Sequence, residues 1–180
     1  MISIEGLIGV GKSTLLDSLP YVVEKEAVEH WTLLQQLYSN ATPNIKTLFE
    51  IQVLCSLAAR KPAQIIERSI ESTMNVFVPL LIQDPNHLEL IHTVKNLISA
   101  PKPDLFIFLD CDPAVALERI QKRKRPSEES ISIDYLQILN KKYNEWLQTV
   151  NHIKVDVTHM SPKDVLDTVL KLLDSYNKWV

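Results

Sequence analysis

The sequence predicts an α/β fold, a parallel sheet flanked by helices and organised around a phosphate-binding loop. Three observations carry this expectation. Gly6-Leu7-Ile8-Gly9-Val10-Gly11-Lys12-Ser13 is a complete G-x-x-x-x-G-K-S match and holds all three glycines of the 180-residue chain, so this loop is expected to be the one place that needs positive φ. Ile2-Ser3-Ile4-Glu5 reads as a strand before it and Ser13-Thr14-Leu15-Leu16 as a helix start after it, the setting that motif requires. Later strand-length segments are continuously apolar rather than alternating, which suits a sheet covered on both faces by crossover helices.

In a P-loop NTPase-type fold, such a loop captures phosphate. Successive backbone N–H groups form a nest, and the following helix adds the positive end of its dipole. Lys12 then reaches the outer phosphates of a nucleoside triphosphate, and the Ser13 hydroxyl is placed for Mg²⁺.

The elements follow in order. Pro20 stops the first helix after Ser13–Leu19. Tyr21-Val22-Val23 reads as a second strand, ending in Glu24-Lys25-Glu26. Thr42-Pro43, Asp84-Pro85, Asp112-Pro113 and Ser161-Pro162 each pair a capping residue with proline at the first helical position. Ile65-Ile66 leads into Glu67-Arg68-Ser69, Leu105 to Leu109 is a fully apolar run ending at Asp110, and Ile153 to Val157 is a weaker strand. Leu136, Leu139, Tyr143, Trp146, Leu147 and Val150 share one helical face, which makes Trp146 a core residue rather than a functional one.

Composition bounds the rest. A chain of 180 residues builds one domain with a good core, expected to span 1–180. No apolar run approaches the length of a membrane span. With a strand starting at residue 2, no leader segment is expected, and the protein reads as cytoplasmic. Cys55 and Cys111 are expected as core thiols, not a disulfide framework. A net charge of −3 argues against wholesale binding to nucleic acid or anionic membranes.

Ligands of such sheets bind beyond the carboxyl ends of the strands, where Glu26, Glu67-Arg68 and Asp110 fall. These supply the types a phosphoryl-transfer site needs: a base, metal ligands and cations. The basic run Arg119 to Arg125 admits three readings on charge alone: a solvated helix end, a nucleic-acid or import patch, or an arginine lid.

Taken together, these motifs resemble the deoxynucleoside kinase family over almost the full chain. Ile2 to Thr14 looks like that family's opening, Glu26-Ala27-Val28-Glu29-His30-Trp31 its Glu-Pro-Val-x-x-Trp stretch, and Glu67-Arg68-Ser69 its Glu-Arg-Ser motif. The segment of about 119–129 is similar to its lid, and Tyr135-Leu136 with Trp146-Leu147 matches the helix that follows. The resemblance implies ATP-dependent phosphorylation of a deoxyribonucleoside 5′-hydroxyl with Mg²⁺. It implies Glu26 as general base, and Arg68 and Lys12 at the moving phosphoryl group. The loop from Gly6 to Thr14 (Leu7, Ile8, Gly9, Val10, Gly11, Lys12 and Ser13 included), with Arg119, Arg123 and Arg125 as lid, would hold ATP. Ser13 and Glu67 would hold the metal, Glu67 being preferred over Asp110 for that duty. Trp31, Phe49, Glu50 and Phe77 would meet the base, and Tyr38 and Glu129 the sugar 3′-hydroxyl. A homodimer through the segments 42–57 and 70–81 also follows from the resemblance.

Three departures stand out. Ala27 replaces the family proline after the base, and Pro126 is an extra residue in the lid that leaves Glu128 as the other 3′-hydroxyl candidate. Glu50 replaces the family glutamine that reads the nucleobase, so an ionised side chain would offer only acceptors, and Gln52 lies near enough to substitute. Thymidylate kinase is the nearest rival reading, but it calls for a glycine-rich acceptor loop, and no glycine remains for one. A non-catalytic nucleotide-binding subunit is the rival of another class, opposed by the presence of Lys12, Ser13, Glu26, Glu67 and Arg68 together.

Overall fold

The computed structural model describes residues 1–177. Strands Ile2–Gly6 (β1), Val23–Glu24 (β2), Ile65–Glu67 (β3), Leu105–Asp110 (β4) and His152–Asp156 (β5) form one parallel sheet in the order β2-β3-β1-β4-β5. Ile4 of β1 stands opposite Glu67 on one side and Ile107 on the other. β1 is thus central, and it is buried along its whole length, as is β4 except at Asp110. That two-sided cover explains why both read as unbroken apolar runs. From β1 the chain moves to the β2 edge, returns through β3 and then crosses to β4. The switch beside β1 opens a crevice at the carboxyl ends of β1 and β3.

The longer helices are Lys12–Ser18 (α1), Leu34–Asn40 (α2), Pro43–Ala58 (α3), Pro85–Leu97 (α6), Pro113–Arg123 (α7), Ile133–Leu147 (α8) and Pro162–Asn177 (α9). Between α3 and α6, Ile70–Ser72 (α4) and Val78–Leu81 (α5) flank a π-helical turn at Thr73–Phe77. All four proline starts form as the sequence predicts. Thr42 accepts from the Ile45 N–H, Asp84 from Asn86 and His87, and Asp112 from Ala114. Ser161 and Asp164 cap each other's backbone reciprocally. Each such cap contributes about 1 kcal/mol.

The main core lies between the sheet and the apolar face of α8. The Phe108 and Tyr143 rings lie 5.1 Å apart and the Phe106 and Trp146 rings 5.0 Å apart, so Trp146 is core, as its spacing predicts. A second cluster of Trp31, Leu34, Leu37, Phe49, Val53 and Leu57 packs α2 on α3 beneath the crevice.

Four local expectations need correction. The second strand is only Val23–Glu24, since Val22 is exposed at the sheet edge and offers no face to bury. The last strand begins one residue early, at His152. Cys55 is exposed, because α3 turns that position away from both clusters; Cys111 is buried and both thiols are free. Positive φ is not confined to the glycine loop: Arg68 has φ 57° and Lys124 φ 51°.

Candidate active site

The phosphate loop joins β1 to α1 at the centre of the sheet. Gly9 has φ 84°, and a Cβ there would sit 2.6 Å from the Ala116 carbonyl oxygen and 2.7 Å from the Ile120 side chain. The loop therefore rests directly on α7, and only glycine permits that approach. Lys12 curls over it, its Nζ donating to the carbonyls of Gly6 at 3.1 Å and Leu7 at 3.0 Å. Burial, with Arg68 adding repulsion, lowers the Lys12 pKa to about 8 against the pull of Glu67, Glu26 and Glu5.

β3 delivers the next groups. Ser13 Oγ donates to both Glu67 carboxylate oxygens, at 2.9 and 3.2 Å, and the Glu26 N–H reaches the same carboxylate at 3.4 Å. Arg68 faces Glu26 at 3.4 Å and lies 4.2 Å above the Phe77 ring. Burial opposes the Arg68 charge, but Glu26, Tyr143, Glu5 and Glu67 outweigh it and hold its pKa above the ordinary arginine value. Glu26 moves the other way for a carboxyl: desolvation raises its pKa, Arg68 lowers it and Glu67 raises it, with a net rise. A carboxylate lifted toward neutrality accepts a proton more readily. Asp110 is turned to Lys154 at 3.1 Å across β4 and β5, which leaves Glu67 as the carboxylate beside Ser13.

Two supporting residues escaped the sequence reading. Arg60, after α3, donates from one guanidinium nitrogen to the Arg68 carbonyl and from the other to the Glu67 carbonyl, both at 2.6 Å. It thereby holds the left-handed turn at Arg68. No sequence signal marks it, since Arg60-Lys61 looks like any charged loop. Glu5 lies fully buried under the same turn, accepting from Ser3, from the Ser69 N–H and hydroxyl, and from the Tyr143 hydroxyl. Its strand position, apolar on either side, was the available clue.

A cleft of about 210 Å³ opens above these groups, walled by the loop, Glu26, Trp31, Tyr38, Arg68, Arg123, Arg125 and Glu128. Beneath it, Phe49, Glu50, Thr73, Phe77 and Tyr135 join Trp31, Leu34, Tyr38 and Arg68 around a narrow inner pocket of about 20 Å³, room for about one water. Phe49 meets Trp31 edge-on at 5.7 Å. Gln52 points elsewhere, bonding the Leu33 N–H and the Thr32 hydroxyl, so Glu50 alone occupies the pocket floor.

The lid segment divides its arginines. Arg123 grips Glu128 through two bonds of 2.7 and 2.6 Å, and Arg125 approaches the same carboxylate at 3.5 Å. Pro126–Glu128 forms a 3₁₀ turn that carries Glu128 inward and leaves Glu129 exposed. Of the two glutamates, Glu128 therefore faces Tyr38, correcting the expectation placed on Glu129. Arg119 lies apart from that cluster. Its guanidinium donates to the carbonyls of Val10, Val157 and Thr158, fastening the loop to the end of β5. It lines a separate groove of about 410 Å³ on the loop's far side, with Thr14, Arg123, Met160, Pro162 and Val165.

Among the described residues, the buried side-chain polar atoms without a partner are Glu26 Oε1, Trp31 Nε1, both Glu50 oxygens, Arg68 Nε and the Tyr135 hydroxyl. Every one belongs to a residue of the cleft or the inner pocket. Unsatisfied buried polar groups are costly, and their confinement to one place marks where a polar ligand completes the structure.

Known proteins agree with this geometry. The protein named "Putative kinase protein 029R" of Invertebrate iridescent virus 3 is 35% identical over 96% of this chain and 95% of its own length. Deoxyadenosine kinase of Dictyostelium discoideum is 32% identical over 83% of this chain and 67% of its own. A solved structure of deoxyadenosine kinase from M. mycoides, with dCMP and dCDP bound as products, superposes with a TM-score of 0.81 at 25% identity, covering 97% and 98% of the two chains. The family model described as deoxynucleoside kinase matches residues 2–177. With its central phosphate loop, its strand-end acids and its enclosed inner pocket, the chain belongs to the deoxynucleoside kinase family, which phosphorylates the 5′-hydroxyl of deoxyribonucleosides.

Proposed function

We propose that this chain transfers the γ-phosphoryl group of ATP to the 5′-hydroxyl of a deoxyribonucleoside seated in the cleft, acting as one domain. The observation that carries the reading is the meeting of Lys12, Ser13–Glu67 and Glu26–Arg68 in one cleft whose unpartnered polar atoms await a ligand. Glu26 takes the hydroxyl proton as the acceptor oxygen attacks phosphorus and the bond to the departing diphosphate breaks. Arg68 and Lys12 stabilise charge on the transferring group. Tyr38 and Glu128 bind the sugar 3′-hydroxyl, while Arg123 and Arg125 move from Glu128 toward the phosphates. The groove beside Arg119 and Met160 takes the donor's base. Relatives named deoxyadenosine kinase support the acceptor class.

Mg²⁺ fits the Ser13–Glu67 pair. Both offer hard oxygen ligands, and no group of three or more His, Cys, Asp or Glu suited to a metal occurs among the described residues, so phosphate and water complete its shell. When bound, it neutralises phosphate charge. No helix among the described residues is long and apolar enough to cross a membrane. Two free thiols support a reducing, cytoplasmic setting. The exposed Leu48 on α3 supports a homodimer face there.

The test is a labelled-ATP assay across the four deoxynucleosides, with thymidine monophosphate as a further acceptor. Monophosphate should appear from at least one nucleoside. Diphosphate from thymidine monophosphate alone would replace this reading with a thymidylate kinase, and ATP binding without any turnover would leave a silent subunit.

A further inference from the structure

The inner pocket poses a specific chemical problem. Glu50 is 1% exposed, and neither of its carboxyl oxygens has a partner. Three other acids of the region are served, Glu5 by Ser3, Ser69 and Tyr143, Glu67 by Ser13, and Glu128 by Arg123, while Glu26 faces Arg68 at 3.4 Å with one oxygen left without a hydrogen bond. The groups facing Glu50 are Arg68 after β3, Glu26 after β2, Tyr38 on α2 and Tyr135 on α8, and none of them bonds it. Aromatic rings, Trp31, Phe49 and Phe77, fill much of the remaining wall. A planar, polar-edged ring suits such a pocket, and its edge must satisfy the carboxyl.

A neutral carboxyl presents one donor and one acceptor side by side. Desolvation, offset by Arg68 and reinforced by Glu26, pushes the Glu50 pKa up to about 8, so it keeps its proton at neutral pH. Two kinds of base edge can meet it. An amidine edge, with a ring nitrogen beside an exocyclic amino group, takes the O–H on a basic nitrogen and returns an N–H to the other oxygen. A lactam edge takes the O–H on a weakly basic carbonyl oxygen. A ring nitrogen is more basic than a lactam oxygen, and a carboxyl O–H is a stronger donor than an amide N–H, so an acid separates the two edges more than an amide does.

Resting on the acceptor reading above, we infer that Glu50 acts as a protonated reader of the amidine edge, so the pocket selects amino bases, those of deoxyadenosine and deoxycytidine, over thymidine and deoxyguanosine. At about 20 Å³ the inner pocket is smaller than a nucleobase, so seating one requires its wall to widen.

The experiment compares binding by calorimetry and kcat/KM by labelled ATP for the four deoxynucleosides, on wild type and Glu50→Gln, at pH 6.5 and pH 9. Wild type should favour the two amino-base nucleosides by up to about tenfold, since both edges can bond the carboxyl and only the strength of the O–H bond differs. Glu50→Gln should narrow that gap, and wild-type affinity for amino bases should fall at pH 9 while the variant's stays level. Equal treatment of all four bases by wild type, or a preference unchanged in the variant, overturns the inference while leaving the kinase reading intact. Amino-base binding without turnover does the reverse. Should the variant fail to fold, the wild-type preference and its loss at pH 9 decide alone.

Discussion

Replacing Arg60 by methionine is the sharpest test of how the strand end is held. Methionine keeps much of the apolar stem but removes two charge-assisted hydrogen bonds of 2.6 Å, to the carbonyls of Glu67 and Arg68. Bonds of this kind contribute about 1.5–3 kcal/mol each, and a left-handed non-glycine residue such as Arg68 costs about 1–2 kcal/mol to maintain. Because water can re-solvate part of the exposed carbonyls, a net stability loss of roughly 2–4 kcal/mol is expected by urea unfolding. The functional effect is separate. With its anchor gone, the Arg68 turn relaxes and its guanidinium leaves the 3.4 Å approach to Glu26. A misplacement of about 1 Å in a positioned group costs on the order of a hundredfold in rate. Steady-state kinetics on the folded variant should therefore show kcat reduced by about that factor, with the KM for ATP little changed, because the loop is held independently by Arg119 and α7. Lysine should not rescue, since one ammonium cannot fork across two carbonyls as guanidinium does. A variant that loses stability yet keeps wild-type kcat, or full rescue by lysine, would refute the positioning role.

Three further outcomes are expected. Glu26→Gln should lower kcat by about a hundredfold or more, the scale of general-base loss, while leaving ATP binding measurable by equilibrium titration; an unchanged rate moves the base elsewhere. The lowered Lys12 pKa of about 8 makes its charge disappear above that pH in the free enzyme, so ATP affinity should be level below pH 8 and weaken by about tenfold per pH unit above it. Glu50 has its pKa raised from 4.5 to about 8, so the native state holds the proton more tightly than the unfolded chain. Its contribution is present below pH 4.5 and is lost as pH rises to about 8, so the stability of Glu50→Gln relative to wild type should grow by up to about 5 kcal/mol across that window, read from urea midpoints at pH 4.5 and 9.

What could be read from the chain was what is written locally. The phosphate loop, the four capped proline starts and the buried face of α8 each depend on residues within a turn or two of one another, and all appear as expected, except that α8 ends at Leu147 and leaves Val150 beyond the helix. The loop's monopoly on glycine misled in one respect: Arg68 adopts positive φ without glycine because Arg60, eight residues away, supplies the bonds that hold it. The choice between Glu128 and Glu129 turned on how Pro126 starts a 3₁₀ turn, a rotation of one residue that periodicity over so short a segment does not reveal. The family resemblance groups Arg119 with Arg123 and Arg125, yet α7 points its guanidinium at the β5 end and the groove beside the loop, away from Glu128. Charge runs show that cations are present. They do not show which carbonyl or carboxylate each will find.

The π-helical turn at Thr73–Phe77 carries one more implication. A π turn takes in an extra residue relative to an α-helix and is less stable for it. Removing one residue there would close the wide turn to α-helical winding and redistribute the side chains of Thr73–Phe77 among the helix faces. Phe77, now beneath Arg68 and against Tyr143, would swing out of the pocket wall. In this segment, the chain's length is itself a determinant of which face meets the substrate, so a one-residue deletion there would damage the pocket more than many substitutions would.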